Sequence, residues 1–228
     1  MAYKLSLSAV YRSLSAEVPR ATVLMKALLL AICIVPAWPV FADEATCGSL
    51  KNATGPFDYR KPDVDNLRMV HEFHFTPEVE SLKEAKTGYL GGDLDYTLRV
   101  FPNHHRALAS MMALQFKAKT ERPTGTHWPI PCYFDRAMRF APDDGKVRMI
   151  YGVYLMRKDK TKDAIEEFKV AADLGEDSGN LHYNAGLAYF EVGDYAQSVE
   201  HAKKAYAAGF SLPGLKNKLV KAGKWPSE

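Results

Sequence analysis

Residues 145–178 read GKVRMIYGVYLMRKDKTKDAIEEFKVAADLGEDS, and residues 179–210 read GNLHYNAGLAYFEVGDYAQSVEHAKKAYAAGF. Laid one above the other, the two lines repeat in kind at a step of 34: Gly152 and Gly186, Ala164 and Ser198, Ile165 and Val199, Phe168 and Ala202, Ala171 and Ala205. One step back from Phe168 and Ala171 lies the pair Phe134 and Ala137. An ordinary bundle has no reason to hold five residue types in phase. A fixed period of about 20–50 residues marks a repeated supersecondary unit.

Within each unit the apolar residues fall at helical spacing. Val147, Ile150, Tyr151 and Tyr154 lie at i, i+3, i+4 and i+7, one stripe of a helix. Asp143 or Asp144 is placed to cap it by accepting from free backbone N–H groups. Lys158-Asp159-Lys160 breaks the stripe, and Thr161 is expected to cap a second helix that carries Ala164, Ile165, Phe168, Ala171 and Ala172 and stops near Gly175. The second unit predicts helices over Leu181–Val192 and Tyr195–Ala208, with Gly193-Asp194 as the turn and Gly209 as the stop. Glycine inside a helix costs roughly 1 kcal/mol against alanine. Gly152 and Gly186 are therefore expected where two helices approach closely, opposite Ala164 and Ser198.

This region resembles the tetratricopeptide repeat family. Gly186, Tyr189, Gly193-Asp194-Tyr195 and Ala205 match its pattern in one unit, and Gly152, Ala164, Phe168 and Ala171 in the unit before. The clear match covers residues 143–210; Ser198 stands where the family has Ala, and Glu176 or Phe210 where it ends in Pro. The resemblance implies an all-α solenoid of helical hairpins in a right-handed superhelix.

The N-terminus reads as a secretory leader. Lys26 precedes the apolar run Ala27–Val35, then Pro36-Ala37-Trp38-Pro39 and the small-residue site Val40-Phe41-Ala42. Residues 1–42 are thus expected to be a signal peptide cleaved after Ala42, with Met25 an alternative start. The location expected is periplasmic or secreted. The apolar run is far shorter than the ~20 residues a spanning helix needs, so no stable membrane insertion is expected after cleavage.

Removing 42 of 228 residues leaves 186, enough for one domain with a sizeable core. It also changes the charge, from 30 basic and 27 acidic residues to 26 of each. A balanced chain has no general electrostatic pull toward nucleic acid. Cys33 leaves with the leader, and Cys47 and Cys132 remain, which in an oxidising compartment most simply form one disulfide.

Residues 43–75 read as an irregular arm that carries Cys47. In it, Leu67–Phe75 alternates in a way that suits a short strand, a helical turn or packing segment being the alternative. Residues 76–142 read as divergent hairpins. Thr76-Pro77-Glu78 opens a helix expected to reach about Lys86. Leu94–Phe101 follows Gly91-Gly92-Asp93, and then come His104–Thr120 and Tyr133–Phe140, separated by the inserted loop 121–131. Met112 occupies the small position of the pattern, a departure from standard hairpin packing. Residues 211–228 form a tail, with an amphipathic capping helix over Leu212–Ala222 to cover the last repeat.

Three candidate sites emerge. The family's concave positions fall on Lys146, Met149, Val153, Met156 and Arg157, then Asn180, Tyr183, Leu187, Phe190 and Glu191, an adaptable apolar channel for a protein or peptide. The alternative is that residues 43–100 fill that channel as core. Asn184 matches one position of the carboxylate-clamp variety, whose basic partners are replaced by Met149 and Val153, so a free C-terminal carboxylate is not the favoured ligand. The second candidate is the inserted loop with Trp128, a frequent hot-spot residue type, or else a plug between loop and hairpin. The third is the histidines His71, His74, His104, His105 and His127, for which hydrogen bonding suffices and no metal is expected.

No nucleophile elbow, phosphate loop, His-Glu-x-x-His or dinucleotide fingerprint occurs, so no cofactor and no enzymatic activity are expected. The function expected is an exported scaffold or adaptor, with cell-envelope assembly suggested by analogy of fold alone. A self-associating structural subunit is the alternative, and a metal-binding protein or unfamiliar enzyme the second.

Overall fold

A computed structural model describes residues 44–226; the leader and its cleavage site lie outside them. All regular structure among the described residues is helical. The helices are α1 (Glu44–Cys47), α2 (Val64–Phe73), α3 (Pro77–Glu80), α4 (Leu90–Val100), α5 (His105–Ala118), α6 (Ile130–Phe140), α7 (Gly145–Arg157), α8 (Thr161–Asp173), α9 (Gly179–Glu191), α10 (Tyr195–Ala207) and α11 (Gly214–Lys221).

The helix boundaries carry the sequence period. α7 and α9 start and end 34 residues apart, and so do α8 and α10. Each first helix pairs along its length with its second, and α8 packs on α9, so the hairpins stack into a solenoid of tetratricopeptide type. The small residues sit where nesting is tightest. A Cβ on Gly152 would fall 2.5 Å from the Phe168 ring, and one on Gly186 2.5 Å from Leu215 Cδ2. Ser198 is explained by its hydroxyl, which is buried and donates to the Gly186 carbonyl at 2.8 Å. The turn inside each hairpin needs a left-handed residue, which is Asp159 (φ 58°) in one and Gly193 (φ 81°) in the next, 34 positions on.

Caps follow local chemistry. Asp144 accepts from the N–H groups of Lys146 and Val147, Ser178 from Leu181, and Asp194 from Gln197. Thr161 does not cap α8; Lys160 holds that position without a side-chain bond, and Thr161 Oγ1 donates instead to Glu191 Oε2 at 2.9 Å.

The N-terminal half departs from the sequence reading in three places. Leu67–Phe75 is not a strand: α2 covers Val64–Phe73, started by Asp63 accepting from Asn66 N–H. Its alternation comes from residues that turn to separate partners, Val70 into the core, His71 to His104 and His74 to Asp93. The helix after Thr76 ends at Glu80, not near Lys86. Leu82 is left-handed (φ 57°), and the buried Asp93 carboxylate takes the backbone N–H groups of Lys86 and Thr87 at 2.6 and 3.2 Å, which a continuing helix would use internally. α4 begins at Leu90 rather than Leu94, so that Gly91 and Gly92 lie inside it, facing loop 121–131. A Cβ on Gly91 would overlap the Thr124 carbonyl oxygen.

α5 and α6 pair less extensively than the later hairpins, consistent with Met112 at the small position. Long-range polar contacts tie this half together. Asn103 donates to Asp58 and Asp144 and accepts from Tyr59 N–H. Arg60 bridges Asp58 and Asp143, and the paired Arg60 guanidinium holds the Asp58 carboxyl far below the usual carboxylate range. Cys47 and Cys132 form a disulfide with Cα atoms 5.1 Å apart. Arg136, buried in α6, donates through Nη1 to the carbonyls of Cys47, Gly48 and Ser49. The arm is stapled covalently and by hydrogen bonds. Among the described residues no helix is long and apolar enough to cross a membrane.

Candidate functional site

The first helices of the two hairpins, α7 and α9, carry the expected binding face. Met149 is buried between them, its sulfur 3.9 Å from the Ser178 hydroxyl that caps α9. Val153 and Met156 are half-buried, packed against the main core. Arg157 is exposed, its guanidinium 4.0 Å over the Phe116 ring of α5. On α9, Asn180 is exposed and its carbonyl accepts from Asn184 Nδ2 at 2.8 Å. Lys146 is also exposed, and Glu191 is engaged with Thr161.

The rest of the stripe is shared with the C-terminal cap. Tyr183, Leu187 and Phe190 are half-buried around Ala202, Leu215 and Leu219. Tyr183 stacks on Phe210 with ring centres 4.2 Å apart. Phe190 meets Tyr195 edge-on at 5.4 Å, and the Lys218 ammonium lies 5.5 Å from its ring. α11 thus closes one side of the α9 stripe. In the first half of the chain α1 packs on α6, α3 on α4 and α5, and α4 on α5, while α5 and α6 pack on α7. What stays accessible is a strip from Val153, Met156 and Arg157 to Asn180, Asn184 and Leu187.

Electrostatics beside the strip are quiet. Burial, then nearby Glu167, pushes the Tyr151 hydroxyl up to about 12. Glu167 is raised by burial against the counter-pull of Arg148, whose Nη1 lies 3.2 Å from its carboxylate. Both act inside the α7–α8 hairpin.

Trp128 lies away from the strip. The Arg136 guanidinium is 4.0 Å over its ring, Tyr133 meets it edge-on, and its indole lies against Gly48 of the arm. It holds loop and arm together. Beside it, Asp95 is fully buried and accepts from His127 Nδ1 at 2.7 Å, from Arg99 Nε at 2.9 Å and from the Tyr133 hydroxyl. Burial, then Asp95, keeps the Tyr133 hydroxyl well above its ordinary range.

The five N-terminal histidines have separate partners: His71 and His104 each other, His74 Asp93, His105 Asp144 and His127 Asp95. A sixth and seventh, His182 and His201, form a pair that sequence reasoning passed over. Their Nδ1 atoms are 3.1 Å apart across the α9–α10 hairpin. The signal was present in outline. With Gly186 opposite Ser198 in an antiparallel hairpin, a residue four before one falls opposite a residue three or four after the other.

No protein-family model matches the chain, and no curated protein does. Among solved structures the chain is similar to one named "MamA D159K mutant 1", the substitution being that protein's own, at 20% identity over 67% of this chain and 81% of that one, with a TM-score of 0.42. It is similar also to "MamA MSR-1 C2", at 18% identity over 67% of this chain and 80% of that one, with a TM-score of 0.41.

Proposed function

We infer that this chain is an exported, non-enzymatic scaffold that holds a protein or peptide against the α7–α9 strip. The carrying observation is that half-exposed Val153, Met156 and Leu187 sit with exposed Arg157 and Asn180 on the first helices of two stacked hairpins, α5 and α6 packing on α7 and α11 on α9 without burying them. Apolar side chains rooted in a rigid core present surface at little ordering cost, and methionine adapts to varied partners. Export is supported by the order of charge, apolar run and small-residue site in residues 26–42 and by the arm disulfide, a bond that persists in oxidising compartments.

The test is a pull-down from an envelope extract with wild type, Met156→Glu, Asn184→Ala and an outer-face control, Lys169→Glu, all checked for equal helicity. A charge placed in a partner's apolar contact should lower recovery at least tenfold for Met156→Glu and leave the control unchanged. Equal recovery by all four proteins would defeat the assignment to this strip.

A further inference from the structure

The geometry points to a second site, a divalent-cation site of borderline softness, zinc or copper(II), formed by His182 and His201 with Asp177 behind. His182 is buried in α9 and His201 half-buried in α10. Asp177, whose side chain is 88% exposed, accepts from His182 Nε2 at 2.7 Å. A carboxylate on one ring nitrogen fixes the proton there and leaves the other with its lone pair. This is the arrangement that metal-ligating histidines use to set tautomer and basicity. The unprotonated nitrogen, Nδ1, faces His201 Nδ1 at 3.1 Å, where it accepts a hydrogen bond if His201 carries its proton there and shares a cation if His201 carries it on Nε2.

That separation suits chelation. A cation about 2.0–2.1 Å from each nitrogen would see the two at an angle of about 100°, between square and tetrahedral, from the 3.1 Å spacing. Among the described residues no group of three or more His, Cys, Asp or Glu side chains gathers at one point. The pair therefore supplies two ligands and water the rest, which makes the site open and exchangeable rather than structural.

The other histidine pair shows what a non-metal pair looks like. His104 Nδ1 accepts from the Ala107 N–H at 3.1 Å, so its proton sits on Nε2 and is donated to His71 Nε2 at 2.9 Å. The capping bond fixes that proton between the two rings, where a cation would have to sit.

Calorimetric titration of EDTA-treated protein with zinc chloride tests the site. One cation should bind per chain. Binding should be lost in His201→Ala and in His201→Gln, weakened 10–100-fold in Asp177→Asn, and unchanged in His127→Ala. Thermal melts of each variant establish that it is folded. Absence of saturable zinc binding to folded wild type, or binding that survives both His201 substitutions, overturns the proposal.

Discussion

Gly152→Ala should destabilise this protein although alanine is the better helix former. Gly152 lies within α7, so alanine gains about 1 kcal/mol of helix propensity there. The new methyl, however, would fall 2.5, 2.8 and 3.0 Å from three ring atoms of Phe168. Phe168 is 3% exposed, so its ring has no open direction in which to retreat. Overpacking of this kind costs about 1–3 kcal/mol, leaving a net loss of about 1 kcal/mol. A double-mutant cycle with Phe168→Leu separates the two contributions, because the propensity gain is present in both backgrounds while the clash needs the ring. The shorter side chain should relieve about 1–2 kcal/mol of the clash contribution, so that Gly152→Ala becomes neutral or stabilising in that background. Urea unfolding followed by helical circular dichroism measures all four proteins, provided they share one slope against denaturant. If Gly152→Ala is more stable than wild type, or the cycle closes with no coupling, close nesting is not why glycine stands in the repeat.

Two further outcomes are expected. Reducing the disulfide, or replacing Cys47 and Cys132 with serine, should lower stability by up to about 4–5 kcal/mol on the chain-entropy estimate for a bridge closing 85 residues; a melting temperature indifferent to reductant in wild type would count against it. Acid should also weaken the fold through His104, which is fully buried and lowered from 6.5 to about 3, first by burial and then by His71. Below about pH 6.5 the unfolded chain takes up a proton that the native imidazole refuses, so stability present above that pH is lost toward pH 3, at roughly 1.4 kcal/mol per pH unit. His104→Asn keeps a capping side chain and removes the titration, and should flatten the decline of stability between pH 6.5 and 4.5; an unchanged slope would refute it.

The hairpins were legible because their determinants are local. Gly152, Ala164 and Phe168 lie within one unit, and what they specify, the approach of two adjacent helices, needs no information from elsewhere. Their period therefore predicted α7–α10 to within about two residues at each end. Helix α2 was not legible in the same way, since a pattern of alternation assumes that one face meets one environment. His71, His74 and Val70 meet three: the histidine that caps α5, an aspartate on α4 and the core. The early end of α3 was invisible for a related reason. It accompanies the carboxylate of Asp93, a residue whose sequence position gives no hint that it is buried and takes the backbone N–H groups of Lys86 and Thr87.

The proposed strip was legible only in part, and the limit has the same origin. Family positions located Met156 and Leu187 correctly on first helices, but exposure depends on what packs over them, and that is set by α11 and α5. Trp128 shows the point most clearly. As a residue type it suggests an anchor for a partner, yet its partners are Gly48 and Arg136, 80 positions back and 8 ahead, brought together by the Cys47–Cys132 bridge. The two halves are joined at Asp144. It caps α7, the start of the repeats, while also accepting from Asn103 and His105 of the divergent half and lying 3.7 Å from Arg60 of the arm. Burial alone would raise its carboxyl; those donors and the capped N–H groups lower it. One ionised side chain thus fixes where the irregular half hands over to the repeating one, and it keeps α7, the first helix of the proposed strip, in register with everything before it.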